Sequence, residues 1–234
     1  MEIVRLEPRL VMLAFPVGQA YLWHGPGGLT LIDTSLPGSG PQIAGAIEEL
    51  GYRRRDLRRL LLTHHHEDHV GSAAEVAAWG DVEVVAHHLD APVIRGEADG
   101  PPPVLSGWER ELFDQVQAGM THDEVAPVRV DREAGDGDEI DLGGGVRAVC
   151  VAVPGHTPGS VAYHLPEARV LFTGDTIARG PDGNVMLGVF NADPDLAAAS
   201  FRRQAGLDVD IACFGHGAPV TERATAALRA AQPR

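Results

Sequence analysis

The sequence contains no lysine; all 19 of its basic residues are arginine. That absence removes Schiff-base chemistry and a phosphate-loop lysine. Cysteine is nearly as scarce, and Cys150 and Cys213 are too few for a disulfide framework or a four-thiolate zinc site. No apolar run reaches the roughly 18 residues that a membrane-spanning helix needs. The apolar stretch 10–17 runs into Gly18 without a small-residue cleavage site, so it reads as a strand and not as a leader. The expectation is a cytoplasmic protein with no membrane partner. Positive charge is also short, 19 basic against 33 acidic residues, for a formal charge of −14. A phosphate backbone would be repelled, so no nucleic-acid partner is expected. A small-molecule substrate remains, bound by a monomer or a homodimer.

Apolar residues are plentiful at 44%, with 22% charged, which is the balance of a folded globular chain. Its 234 residues are expected to form a single domain, 1–234. Strand and helix signals alternate in the first third: strands at 11–22 and 29–32 about a Gly-Pro-Gly-Gly turn, a helix at 41–50, a strand at 58–62, a helix at 72–79 and a strand at 82–86. Residues 96–127 break that rhythm with Pro101, Pro102 and Pro103, a helical stretch at 108–117 and Gly119, and read as a helical lid or insertion. The acidic stretch 131–142 reads as a hairpin connection. Strands resume at 146–153, 160–164, 169–172 and 211–214, with helices at 195–204 and 221–231.

The chemistry concentrates in Leu60-Leu-Leu-Thr-His-His-His-Glu-Asp-His-Val-Gly-Ser72, where an apolar strand runs into four histidines and two acids within six residues. Burying that cluster without a cation would leave several desolvated groups competing for partners. His64 and His66 project to one side of an extended turn, and Asp68 and His69 supply a second N/O set. Three further strand ends finish on a ligand type preceded by glycine: Gly155-His156, Gly174-Asp175 and Gly215-His216. Glycine lets the chain turn sharply and approach a metal closely. Imidazole and carboxylate without thiolate suit zinc, iron or manganese. Ser72 and Ser160 have no histidine–acid pair free of metal duty, so a serine triad is not expected. His87 and His88 read as a surface turn, His24, His122 and His164 as structural or solvated, and the arginine run at 53–59 as a solvated face.

His64-His-His-Glu-Asp-His69, followed in order by His156, Asp175 and His216, resembles the His-x-His-x-Asp-His signature of the metallo-β-lactamase fold superfamily, and Asp33 in Leu31-Ile-Asp-Thr-Ser35 resembles its early acidic motif. The resemblance spans about residues 10–218. It implies an α/β (α+β) fold, a four-layer αββα sandwich with the metals at one edge between two sheets. It further implies that His64, His66 and His156 hold a first metal, that Asp68, His69 and His216 hold a second, that Asp175 bridges them, and that Asp33 supports the ligands by hydrogen bonds. Two divalent cations, zinc foremost, are implied, with Asp68 also orienting a bridging hydroxide.

Departures from the superfamily's branches narrow the activity. Its β-lactamases place cysteine or serine where Asp175 stands, so Asp175 tilts the resemblance toward the glyoxalase-II and lactonase branches. Glyoxalase II carries a C-terminal helical domain for which the 18 residues after His216 leave no room. The quorum-lactone hydrolases have tyrosine where Ala178 stands, and the flavo-diiron proteins have glutamate where His66 stands. The resulting expectation is a binuclear metal-dependent hydrolase of a small ester-like substrate, a lactone, thioester or related acyl compound. The alternatives are a mononuclear iron enzyme resembling persulfide dioxygenases, β-lactamase-like amide hydrolysis, and a metal-binding module without catalysis. Trp108, Phe113, Met186 and Phe190 are candidates for the substrate pocket, the stretch around Trp108 either completing the core or roofing the metal cleft.

Overall fold

A computed structural model of the chain describes residues 1–119 and 124–233. Seven strands form the first sheet, in spatial order β1 (Glu2–Glu7), β2 (Leu10–Ala14), β3 (Ala20–Gly25), β4 (Gly28–Ile32), β5 (Leu57–Leu61), β6 (Glu83–His87) and β7 (Arg132–Ala134). β1 to β4 pair antiparallel, whereas β4 to β7 pair parallel. The parallel half needs crossovers, which α1 (Gly40–Glu49), α2 (Glu67–Val70), α3 (Ala73–Ala77), α4 (Ala91–Ile94) and α5 (Gly107–Gly119) lie along. The second sheet contains β8 (Glu139–Gly143), β9 (Val146–Ala152), β10 (Val161–Leu165) and β11 (Val170–Phe172), with β14 (Ile211–Cys213) parallel to β11 at its edge. β12 (Ile177–Arg179) and β13 (Val185–Leu187) make a small separate hairpin. α6 (Pro194–Ala205) and α7 (Ala224–Ala231) complete the chain.

The layering follows from side-chain alternation, because successive residues of a strand face opposite sides. Val11 and Leu13 of β2 face one way, with Leu22, Leu31, Leu60 and Val84, and bury Ile43, Ala46 and Ile47 of α1 and Val76 of α3. Leu10, Met12, Tyr21, Ile32 and Leu61 face the other way and meet Cys150, Tyr163, Val170, Phe172 and Cys213 of the second sheet. The remaining faces of that sheet, Val151, Ala162, Leu171 and Ala212, take Phe201 and Ala205 of α6 and Leu228 of α7. Three apolar interfaces between four layers are an αββα sandwich. Among the described residues no helix is long and apolar enough to cross a membrane.

Two local expectations fail. Residues 11–22 are two strands, since Pro16 and Gly18 (φ +63°) break the ladder and turn the chain back. The stretch 131–142 is no hairpin connection: β7 and β8 belong to different sheets, and the turn at Gly135–Asp138 carries the chain from one to the other. In both cases turn residues are legible in sequence, but the sheet each strand joins is a tertiary choice.

Two buried tyrosines tie the sheets together at the end where the ligand-bearing loops emerge. Tyr21 of β3 donates its hydroxyl to the Phe214 carbonyl at 2.7 Å, and Tyr163 of β10 donates to the Leu62 carbonyl at 2.9 Å. Each bond crosses from one sheet to the residue just past a strand of the other.

Candidate metal centre

Five strands deliver the chemistry. β4 ends before Asp33, β5 before Thr63 and the histidine loop, β9 before His156, β11 before Asp175 and β14 before His216. All five loops leave strand C-termini at one edge of the sandwich, so a rigid sheet pair sets the spacing of side chains far apart in sequence.

His64 Nε2 lies 3.1 Å and His156 Nε2 2.9 Å from His66 Nδ1, which makes one nitrogen cluster. Asp68, His69 and His216 make a second, with His216 Nε2 3.1 Å from Asp68 Oδ2 and His69 Nε2 3.7 Å from it. Asp175 reaches both. Its Oδ2 is 3.7 Å from His156 Nε2 and 3.1 Å from His216 Nε2, and its Oδ1 is 3.2 Å from His69 Nε2.

Asp33 orients two rings at once. As a carboxylate it only accepts: Oδ1 takes the Thr63 N–H at 2.8 Å, and Oδ2 takes the Thr63 hydroxyl at 2.7 Å and His69 Nδ1 at 2.8 Å. His69 therefore donates from Nδ1 and turns Nε2 toward Asp175; burial works to lower its pKa, but Asp175, Asp68 and Asp33 outweigh it and raise it, so a metal taking Nε2 would displace a proton there. Thr63 has spent its proton on Asp33, so its oxygen accepts from His64 Nδ1 at 3.0 Å. That leaves His64 Nε2 as a lone pair. Asp33 adopts a left-handed backbone (φ +57°) to reach this position, a strained conformation of the sort that clusters at functional sites.

The electrostatics ask for a cation. Burial first, with neighbouring imidazoles adding, lowers the pKa of His64 and lowers that of His66 to about 3; burial dominates the lowering of His156 too. Three neutral rings thus crowd their nitrogens together. In the other cluster Asp175 foremost, against the effect of burial, raises His216 to about 10. Burial works to raise Asp68, but His69 and His216 outweigh it and hold that carboxyl at about 2. His69 Nε2 and Asp175 Oδ1 are buried and have no hydrogen-bond partner. Buried polar atoms without a hydrogen-bond partner beside ionised carboxylates are what a divalent cation satisfies, displacing the protons held on His69 and His216, and an all-N/O set fits zinc, iron or manganese. The approach is close: a Cβ on Gly215 would lie 1.9 Å from Asp175 Oδ1 and 2.7 Å from His69 Cε1, so only glycine fits there.

Above the clusters is a cavity of about 740 Å³ floored by His66, Asp68, His156, Asp175 and His216. Trp108, Leu112, Phe113 and Val116 of α5 form one wall, and Met186, Val189 and Phe190 another. At the start of α5 the Ser106 N–H, at 3.1 Å, and the Ser106 hydroxyl both donate to Glu109 Oε2. Phe113 and Phe190 meet edge to face, centroids 5.2 Å apart and planes at 83°. Phe190, too, is left-handed (φ +61°).

All seven candidate ligands, together with Asp33 and the four pocket residues, thus fall around one cavity or directly behind it. His65 and Asp90 were not legible as site residues. His65 occupies a variable position of the motif, yet it lines the cavity. Its backbone N–H and Nδ1 each lie 3.0 Å from Asp90 Oδ2. Asp90 is buried and also accepts from the Thr157 hydroxyl at 2.7 Å and the Gly159 N–H at 2.7 Å, pinning the His65 loop to the His156 loop. An acid buried among apolar residues two positions past a histidine pair was the only sequence signal. His87 does not form a surface turn, because it is buried at the end of β6; His88 is exposed, and neither lines the cavity. His24 pairs with the Tyr52 hydroxyl at 2.9 Å, and His122 lies outside the described residues.

An αββα sandwich with histidine and aspartate donors gathered at its strand ends defines a class of metal-dependent enzymes. The sequence profile of the metallo-beta-lactamase superfamily matches residues 15–216, and the chain belongs to that superfamily. It is 28% identical over 222 residues to the probable metallo-hydrolase YflN of Bacillus subtilis, covering 84% of this chain and 78% of that one. It is 30% identical over 200 residues to a hydroxyacylglutathione hydrolase of Ruegeria pomeroyi, covering 84% of this chain and 61% of that one. The chain thus spans about three-fifths of the length of such relatives. Among solved structures, a metallo-beta-lactamase of Cronobacter sakazakii superposes with a TM-score of 0.72 at 26% identity, covering 93% of this chain and 78% of that chain.

Proposed function

We propose that the protein is a binuclear hydrolase that uses two zinc ions to cleave a small ester-like substrate, a lactone, thioester or related acyl compound. The observation that carries this reading is the pair of donor clusters sharing Asp175 at the floor of one cavity. The Asp68, His69 and His216 cluster is a second donor set, which supports two ions over the one iron of a mononuclear oxygenase. His64, His66 and His156 would hold one ion, Asp68, His69 and His216 the other, and Asp175 both. When bound, such ions supply Lewis acidity and make water acidic enough to attack near neutral pH.

The chain's own groups bind, orient and exclude water. Asp68 is the proposed catalytic carboxylate. Ionised and at the cavity floor, it accepts a hydrogen bond from the attacking water and aims it. The walls formed by Trp108, Phe113, Met186 and Phe190 hold the substrate's apolar part and exclude bulk water, which strengthens electrostatic contacts inside. The relatives named hydroxyacylglutathione hydrolase support thioester or ester chemistry as the class.

The test is metal analysis of the purified protein followed by a panel of lactone, thioester, β-lactam and phosphodiester substrates. Two zinc ions per chain with turnover of an acyl substrate are expected. One iron per chain with oxygen uptake would overturn the reading. Truncating the walls gives a second check: Trp108→Ala and Phe190→Ala are each expected to lower kcat/KM by about 10-fold with metal content unchanged. Wild-type kinetics in both variants would remove the two aromatics from the substrate pocket.

A further inference from the structure

The cavity has a conspicuous charge pattern. The charged side chains lining it are Glu67, Asp68, Asp175 and the histidines; among the described residues no arginine lines it, and the chain has no lysine. The nearest arginine in sequence to the walls is Arg179 of β12. Ala178 and Gly180 on either side of it face the cavity, so strand alternation sends Arg179 the other way. Its guanidinium is occupied there, donating to the Gly183 carbonyl at 2.8 Å and the Pro219 carbonyl at 3.2 Å. On α5 the cavity face is Trp108, Leu112, Phe113, Val116 and Gln117, at helical spacing, and Arg110 is exposed and falls outside that stripe. With the proposed ions held by its histidines and aspartates, the floor would attract a carbonyl oxygen. Among the described residues the walls offer a negatively charged substituent no cation, only the neutral amide of Gln117.

Resting on the hydrolase reading above, we infer that the substrate's acyl arm is uncharged and apolar, and that the cavity rejects arms carrying a carboxylate. A carboxylate moved from water into an unpaired apolar setting loses its hydration without compensation. An apolar pocket rejects an added neutral hydroxyl by only about 100-fold, but a charged carboxylate costs more to desolvate, so charge is the property such walls select against.

Two paired measurements test it on the zinc-loaded protein. In the first, p-nitrophenyl hexanoate is compared with the mono-p-nitrophenyl ester of adipic acid, which differs by a terminal carboxylate. The neutral ester is expected to have a kcat/KM higher by about 100-fold. Gln117→Arg, which puts a guanidinium on the α5 wall, is expected to close about 10-fold of that gap. In the second, N-hexylacetamide and 6-acetamidohexanoate compete with the neutral fluorophore N-phenyl-1-naphthylamine, a binding readout independent of turnover. The neutral amide is expected to displace the dye and the carboxylated one to fail at the same concentration. Equal kcat/KM for the two esters, equal displacement by the two amides, or displacement by neither would overturn the inference. If neither ester turns over while the amides still discriminate, the charge preference stands and the hydrolase reading falls.

Discussion

Asp175→Ala is expected to empty both proposed metal positions and to lower kcat/KM by more than roughly 100-fold, beyond the 10–100-fold that losing a ligand's supporting partner costs. The reason is geometric. Asp175 is the carboxylate within 4.0 Å of nitrogens from both clusters, His64 and His156 in one and His69 and His216 in the other. Without it five imidazoles and Asp68 would have to hold two dications with a single carboxylate. His66→Ala provides the contrast, because it removes a donor of the first cluster only. Metal content should fall from two ions to one in His66→Ala and toward zero in Asp175→Ala, measured by elemental analysis after gel filtration. Wild-type turnover in either variant would contradict the ligand assignment.

The second large effect is expected at a residue that touches no metal. Asp33→Asn keeps the side-chain volume but replaces one acceptor oxygen by a donor NH₂. Both carboxylate oxygens are committed, one to the Thr63 N–H and the other to the Thr63 hydroxyl and His69 Nδ1. Whichever oxygen is lost, a donor faces a donor. With NH₂ toward His69, the ring moves its proton to Nε2 and can no longer present a lone pair to a cation. Metal affinity and kcat/KM are each expected to fall about 10–100-fold. A competition titration with a chromogenic chelator gives the affinity, and the His69 ring-nitrogen chemical shifts report the tautomer. Unchanged affinity with Nδ1 still protonated would remove Asp33 from the site's machinery.

Much of this site is legible in the sequence, because its residues are local and chemically unusual. Four histidines and two acids in six positions cannot be packed as an ordinary loop, and Gly155, Gly174 and Gly215 mark where the chain must bend beside a ligand. The alternation that builds the layers is equally local, as in Val170 and Phe172 facing one side and Leu171 the other. Less legible is whatever depends on which segments meet. Asp90 is one acid among many until the fold sets it beneath His65 and Thr157. The break at Phe15–Gln19 within the expected strand 11–22 turns on Pro16 and Gly18, short signals outweighed by the apolar residues around them. Trp108 illustrates a different limit: helical spacing shows that Leu112, Phe113 and Val116 share its face, but periodicity does not say whether that face meets core or cavity.

The tyrosine hydroxyls that cross between the sheets mark a seam, and the donor groups straddle it. Asp33 and residues 64–69 belong to loops of the first sheet, and His156, Asp175 and His216 to loops of the second. Cations seated there would stitch the seam shut, since the halves could not part without surrendering ligands. Metal would then act as a clasp on folding as well as a reagent. At free zinc of 100 times Kd, such a clasp is worth about 2.7 kcal/mol to the native state. Chelation should therefore lower the melting temperature and speed amide exchange in β5 and β10, the strands on which the Tyr163–Leu62 bond closes. Identical melting curves with and without chelator would mean that the sheets hold together unaided.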